Sequence, residues 1–137
     1  VVSKATINQY RVNNLTLKVA EGGDLVILRN VHRLLPEKGH GDTVTAWTLF
    51  RGSDFLSKVS FINDNLVDPG VAIELHEHVD LEEVYYILSG IGEIRVGDEV
   101  CQAREGDAVY LPPRVSHTMK NIGSHPLRFI CVGAMIT

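Results

Sequence analysis

Several things are scarce in this 137-residue chain, and each scarcity excludes something. It has only two cysteines, Cys101 and Cys131, too few for the disulfide framework of a small secreted scaffold, so both read as reduced, partly buried thiols. No apolar run is long enough to span a bilayer, and no basic-then-apolar leader is present, which sets the expectation of a cytoplasmic protein with no membrane partner. Lys and Arg number 13 against 17 Asp and Glu, a formal net charge of −4 without a basic cluster. A phosphate-tracking surface, and with it nucleic acid as a partner, is therefore not expected. Helical signals are equally sparse: no segment sustains a 3.6-residue apolar period between caps.

What remains is strand after short strand. Leu15–Val19 alternates apolar and polar residues, and Leu25–Leu28, Val44–Phe50, Ser57–Ile62, Val71–Val79 and Val84–Leu88 follow. Glu93–Val96, Glu99–Ala103, Ala108–Leu111, Thr118–Asn121 and Leu127–Ile136 complete the series. Turn residues punctuate it at Asp68-Pro69-Gly70, Gly97-Asp98, Gly106-Asp107 and Pro112-Pro113. The pattern predicts an all-β antiparallel sandwich or barrel. At this length one domain is expected. Residues 1–43 read as an N-terminal strand arm and loop belonging to that domain (the loop over 30–43), and residues 44–137 as the barrel. The arm is expected to cover a sheet edge or to pair with a second subunit. Trp47, Phe50, Phe55 and Phe61 read as core or as a dimer face.

The chemistry lies in one run. His76 and His78 are two apart, so on a strand both imidazoles face the same side. Glu83 can return on the next strand to meet them, with Glu82 outward, and His117 is a fourth candidate from a later segment. Imidazoles and a carboxylate converging on one point suit a transition metal. Continued alternation would also turn Glu74 and Tyr85 inward as candidate catalytic groups, although a solvated or ion-paired Glu74 and a core Tyr85 are the plainer readings. His32, His40 and His125 lack ligand spacing and read as ordinary histidines.

Gly70, His76, His78, Glu83 and Gly90 fill every fixed position of the motif G(X)5HXH(X)3–4E(X)6G. Gly106, Pro112, His117 and Asn121 fill all but one of G(X)5PXG(X)2H(X)3N, and the exception is Arg114 in place of Gly. Two motifs in order make the sequence resemble the cupin superfamily. The resemblance implies a double-stranded β-helix, a jelly-roll barrel, with His76, His78, Glu83 and His117 as ligands of one divalent transition metal (Fe, Mn, Ni, Cu, Zn or Co). It also fits a homodimer. The implied function is a metal-dependent enzyme acting on a small polar, oxygen-bearing molecule, with oxygenase or decarboxylase chemistry slightly ahead of isomerase or lyase. The alternative is a non-catalytic cupin that binds a sugar or another small ligand. Arg114 is either tolerated in its turn or a cation at the barrel mouth that attracts an anionic substrate.

Overall fold

The structure, a computed structural model, describes residues 8–12, 15–19 and 25–137, with side chains from residue 27 onward. Of the expected arm, residues 1–7, 13–14 and 20–24 lie outside the described residues. The chain divides into two compact units, Val1–Leu35 and Pro36–Thr137. In the first, β1 (Asn8–Val12), β2 (Leu15–Val19) and β3 (Leu25–Leu28) form an antiparallel sheet in that order, and a 3-10 turn follows at Val31–Arg33. The second unit begins inside the span expected as a loop, because Glu37–Gly39 is a short strand, β4, paired with the strand that follows.

Nine strands make up the second unit. After β4 come β5 (Val44–Arg51), β6 (Val59–Val67), β7 (Leu81–Ser89), β8 (Ile91–Val96), β9 (Glu99–Arg104), β10 (Ala108–Leu111), β11 (His117–Asn121) and β12 (Leu127–Met135). They form a six-stranded sheet, β10-β7-β12-β6-β5-β4, and a three-stranded one, β11-β8-β9, the two walls of a jelly-roll barrel. Alternation decides what enters the space between them. On β7, Glu83, Tyr85 and Ile87 are buried while Val84 and Tyr86 are exposed, and on β12, Leu127, Phe129 and Cys131 are buried. Each fully buried aliphatic or aromatic side chain contributes about 1.5–3 kcal/mol relative to exposure. Two glycines make the packing possible. Gly90 has φ +89, and a Cβ there would stand 2.9 Å from the Leu127 Cα; a Cβ on Gly133 would meet the Phe61 ring at 2.5 Å.

One expected strand is not regular. Val71–Val79 runs extended beside β11, but only two isolated bridges join them, Ala72 to Lys120 and His76 to His117. Four steps on one side face three on the other, so this segment carries one extra residue, as a bulge does. The inward parity switches there. Val71 and Ile73 pack into the core, whereas beyond the extra residue it is His76 and His78 that are more buried than their neighbours. Alternation counted back from His76 therefore fails at Glu74, which is exposed.

Arg114 occupies its turn at φ +61, the left-handed region that suits glycine. Its amide donates to the His78 carbonyl at 2.6 Å, so the turn holds its shape despite the side chain. The guanidinium is exposed, 3.8 Å from Asp80, and is not part of the cavity lining. A left-handed non-glycine residue costs about 1–2 kcal/mol, and a glycine's extra unfolded-state freedom offsets part of the relief. Arg114→Gly is expected to raise unfolding stability by about 0.5–1 kcal/mol in urea titration; a loss would show that the side chain stabilises this turn.

Candidate metal centre

His76, on the bulged segment, His78 just beyond it, Glu83 on β7 and His117 at the start of β11 converge, with one ligand atom of each lying within 4.8 Å of all the others. The Glu83 Oε2 stands 3.5 Å from the His78 Nε2 and 3.4 Å from the His117 Nε2. These two nitrogens, the His76 Nε2 and that oxygen share a further property: all four atoms are buried, and none has a hydrogen-bond partner among the described residues. Buried polar atoms are ordinarily satisfied, and leaving one unmade costs on the order of 1–3 kcal/mol. Three imidazole nitrogens and a carboxylate oxygen pointing at one another present a donor set that a divalent ion satisfies at about 2.0–2.2 Å from each, with modest closing of the widest pair.

The surroundings orient these donors. The His76 Nδ1 hydrogen-bonds the Glu74 carbonyl at 2.7 Å and the His117 Nδ1 the Val115 carbonyl at 3.0 Å. A carbonyl only accepts, so each Nδ1 carries the hydrogen and each Nε2 lone pair faces the cluster. The Cys131 thiol donates to the second Glu83 oxygen at 3.5 Å, leaving Oε2 for the centre. Burial pulls His76 down to about 4. For His117, burial also favours the neutral form, but the Glu83 carboxylate and the Val115 carbonyl outweigh it and raise the imidazole above the ordinary 6.5. Burial pushes Glu83 up, while His117 and His78 prevail and hold it below the usual carboxylate range.

Asn121 is fully buried and saturated. Its Nδ2 donates to the Val67 and His125 carbonyls and its Oδ1 accepts from the Gly123 amide, so it ties the turn before β12 to the end of β6 rather than serving as a ligand. Glu82 faces outward as expected, where it accepts from the Tyr110 hydroxyl at 2.9 Å. Glu74 points its carboxylate toward the turn at Gly41 and joins neither the metal cluster nor the cavity lining.

Beside the cluster lies a cavity of about 190 Å³, with Glu83, Tyr85, Cys131 and Phe129 in its wall. Tyr85 is buried against Phe129, ring centroids 4.7 Å apart, and burial pushes its hydroxyl well above the ordinary 10.0. His40 also belongs to this wall. It opens a left-handed turn, with φ +51 at His40, +64 at Gly41 and +66 at Asp42, and the Thr43 hydroxyl fixes the turn by donating to the His40 carbonyl at 2.6 Å. The turn brings the His40 ring to 4.1 Å from the His76 ring, and burial lowers its pKa below 6.5. His40, Cys131, Asn63 and Asn65 are the cavity and support residues that spacing alone does not reveal. Only the asparagines leave a trace in the sequence, as polar residues at 63 and 65 on the same strand parity as Phe61 and Val67.

Comparison with known proteins agrees with this arrangement. Residues 66–133 match the family model for the cupin domain. Over 66 residues the chain is 39% identical to an uncharacterized protein, MJ1618, of Methanocaldococcus jannaschii, covering 48% of this chain and 53% of that protein. It is 33% identical over 64 residues to an oxalate-binding protein of Thermotoga maritima, covering 47% and 53%. To oxalate decarboxylase OxdC of Bacillus subtilis it is 36% identical over 69 residues, covering 47% and 18%. The matched region thus spans about half or less of these relatives. A crystal structure described as a predicted oxalate decarboxylase of Thermotoga maritima superposes with a TM-score of 0.72 at 23% identity, covering 77% of this chain and 96% of that one, a likeness of fold. Among the described residues no helix is long and apolar enough to cross a membrane. With the four ligand residues of the two motifs brought together in a jelly-roll barrel and the family model matching across them, the chain belongs to the cupin superfamily.

Proposed function

We propose that the protein is a metal-dependent enzyme holding one divalent transition-metal ion per chain on His76, His78, Glu83 and His117, and acting on a small polar, oxygen-bearing molecule. The observation that carries this reading is the convergence of four buried donor atoms, unpartnered among the described residues, beside a small cavity to whose wall Glu83 belongs. A bound divalent ion would supply Lewis-acid polarisation of a ligand oxygen, or oxygen activation if it were iron or copper. The chain's own residues do the rest. The Glu74 and Val115 carbonyls and the Cys131 thiol fix the donors, Phe61, Ile73 and Phe129 supply the apolar part of the cavity wall, and Tyr85 offers its hydroxyl to whatever fills the cavity. Glu74 would contribute charge at the rim, beside the His40 turn.

Decarboxylase or oxygenase chemistry is favoured over isomerase or lyase chemistry, supported by the relative named an oxalate decarboxylase. The relative named an oxalate-binding protein supports the second reading, binding without turnover. Incubating metal-loaded protein with short carboxylic and 2-oxo acids, with and without dioxygen, and following carbon dioxide and oxygen separates the two. Release of carbon dioxide or uptake of oxygen supports the enzyme; tight binding with neither supports the binder.

Metal affinity should depend on pH, because an imidazole must be neutral to ligate. His76 is neutral above about 4, whereas His117, raised above 6.5, keeps its proton to a higher pH. Affinity is then full above the His117 pKa and falls as pH drops through it, with about one proton displaced per ion bound. Cobalt titrations should show weakening that begins above pH 6.5; constant affinity down to pH 5 would contradict the assignment. We also propose a homodimer. Val84 and Tyr86 on β7 and Tyr110 on β10 form an exposed apolar group on the outer face of the large sheet, the kind of patch that pairs subunits. Light scattering should give twice the chain mass, and a monomer mass would remove the proposal.

A further inference from the structure

The floor of the cavity holds polar side chains that the metal centre does not use. Asn63 and Asn65 are two apart on β6 and so face the same side. Both line the cavity, and the Oδ1 of each is buried without a hydrogen-bond partner; Asn65 is only 7% exposed. The strand register extends this group across the sheet. Asn63 pairs with Thr48 on β5 and with Cys131 on β12, and Cys131 pairs in turn with Tyr85 on β7. Directly paired residues project to the same face, so Thr48, Asn63, Cys131 and Tyr85 form one polar row through the barrel interior. That row ends beside Glu83, the metal-ligand carboxylate that accepts from Cys131.

Nothing in the fold requires this row. The neighbouring inward positions are Ala46, Phe129 and Ile87, and an apolar residue at 63 or 65 would remove an unsatisfied amide from the interior. Two buried carboxamide oxygens without a donor, kept beside the candidate metal centre, point to a ligand that donates to them. The charges say what kind of ligand. Among the described lining residues the only side-chain ammonium or guanidinium is that of Lys38, which is exposed and donates to the Thr45 hydroxyl at 2.7 Å. A second carboxylate deep in the cavity would have no counter-charge, and burying an unpaired charge is costly. The volume of about 190 Å³ is roughly that of six water molecules at about 30 Å³ each.

We propose that Asn63 and Asn65, with the Tyr85 hydroxyl, determine specificity for a short 2-hydroxy or 2-oxo acid. Its carboxylate and adjacent oxygen reach the metal, and its chain carries a further neutral hydroxyl that donates to the carboxamide oxygens. This rests on the metal-site reading above and goes beyond it by naming the ligand class and the residues that select it.

DL-glycerate and DL-lactate separate the possibilities, since both offer the same chelating pair and only glycerate has the additional hydroxyl. In calorimetric titration of the cobalt-loaded protein, glycerate should bind at least about tenfold more tightly than lactate, the worth of one or two hydrogen bonds. Asn63→Leu and Asn65→Leu should each reduce that preference to within about twofold. The same substitutions should raise the Tm of the metal-free protein by roughly 2–6 °C, because a ligand-binding amide is a structural liability when no ligand is bound. If a leucine is not accommodated, Asn63→Ala and Asn65→Ala repeat the binding comparison without added bulk. Equal affinities in the wild type, a preference that survives the substitutions, or a lowered Tm in the folded leucine variants would overturn the proposal. Lactate binding as well as glycerate would overturn it while leaving the metal site standing. Failure of both acids to bind a cobalt-loaded protein would overturn both this inference and the chelating-ligand reading beneath it.

Discussion

His76→Ala is expected to abolish metal-dependent stabilisation while leaving the metal-free barrel folded. In the wild type, four donor atoms are buried and unpartnered, each costing on the order of 1–3 kcal/mol, and a bound ion relieves all of them together. A ligand that binds only the folded state at about a thousand times its Kd stabilises by about 4 kcal/mol. For a chain of this length that corresponds to a rise in Tm of roughly 10–20 °C. Removing the His76 imidazole deletes one of three nitrogen donors and loosens the ring contacts with His117 at 4.3 Å and His40 at 4.1 Å. Loss of a group that merely orients a ligand costs about 10–100-fold in affinity, so loss of a ligand itself should cost at least about 100-fold. Thermal scans with and without cobalt check this directly. The wild type should shift strongly and the variant little, and an undiminished shift in the variant would remove His76 from the metal set. Because the His76 ring is only partly buried, its loss in the metal-free state should be mild, which separates this result from simple unfolding.

Arg128→Ala should give the largest loss of stability away from the metal centre. Asp64 is 3% exposed, and the Arg128 guanidinium grips both its oxygens, Nε to Oδ1 at 2.9 Å and the second nitrogen to Oδ2. Truncating Arg128 leaves a buried carboxylate without its partner. Breaking a fully buried pair costs about 3–5 kcal/mol. Since Arg128 is 40% exposed, solvent screening lowers the expectation to about 2–3 kcal/mol. Chemical denaturation measures it, and Arg128→Lys, which keeps the charge but loses the two-pronged geometry, should fall between the two. An unchanged midpoint in Arg128→Ala would mean that water replaces the guanidinium at no cost. The substitution should leave the metal-induced Tm shift intact, because neither residue belongs to the donor set.

The comparison of sequence with structure turns on what is local. The donor quartet was legible because the His-x-His spacing on an extended segment forces two imidazoles to one side, and the two motifs then supply Glu83 and His117. The barrel was legible because strands such as β7 and β12 keep strict alternation. Alternation alone would turn Glu74 inward, but one extra residue between Ala72 and His76 reverses the parity, leaves no mark in the composition, and puts Glu74 in the exposed position of its plainer reading. His40 was read as ordinary because its position depends on a left-handed turn and on a contact with His76, far away in sequence. Strand β4, Glu-Lys-Gly, has no pattern to read and exists because β5 offers an edge. The asparagines of β6 were visible only as a break in an otherwise apolar inward face, and that break acquires meaning once the cavity is in view. Arg114 shows the converse, a position where the backbone keeps the left-handed torsion although the residue does not favour it.

The central claim is that His76, His78, Glu83 and His117 together hold an ion. Elemental analysis of protein purified anaerobically without added metal, alongside His76→Ala prepared identically, tests it most directly. The account predicts about one transition-metal ion per wild-type chain and below roughly a tenth of that in the variant. Equal metal content in the two proteins, or none in the wild type even after reconstitution with cobalt, would contradict it.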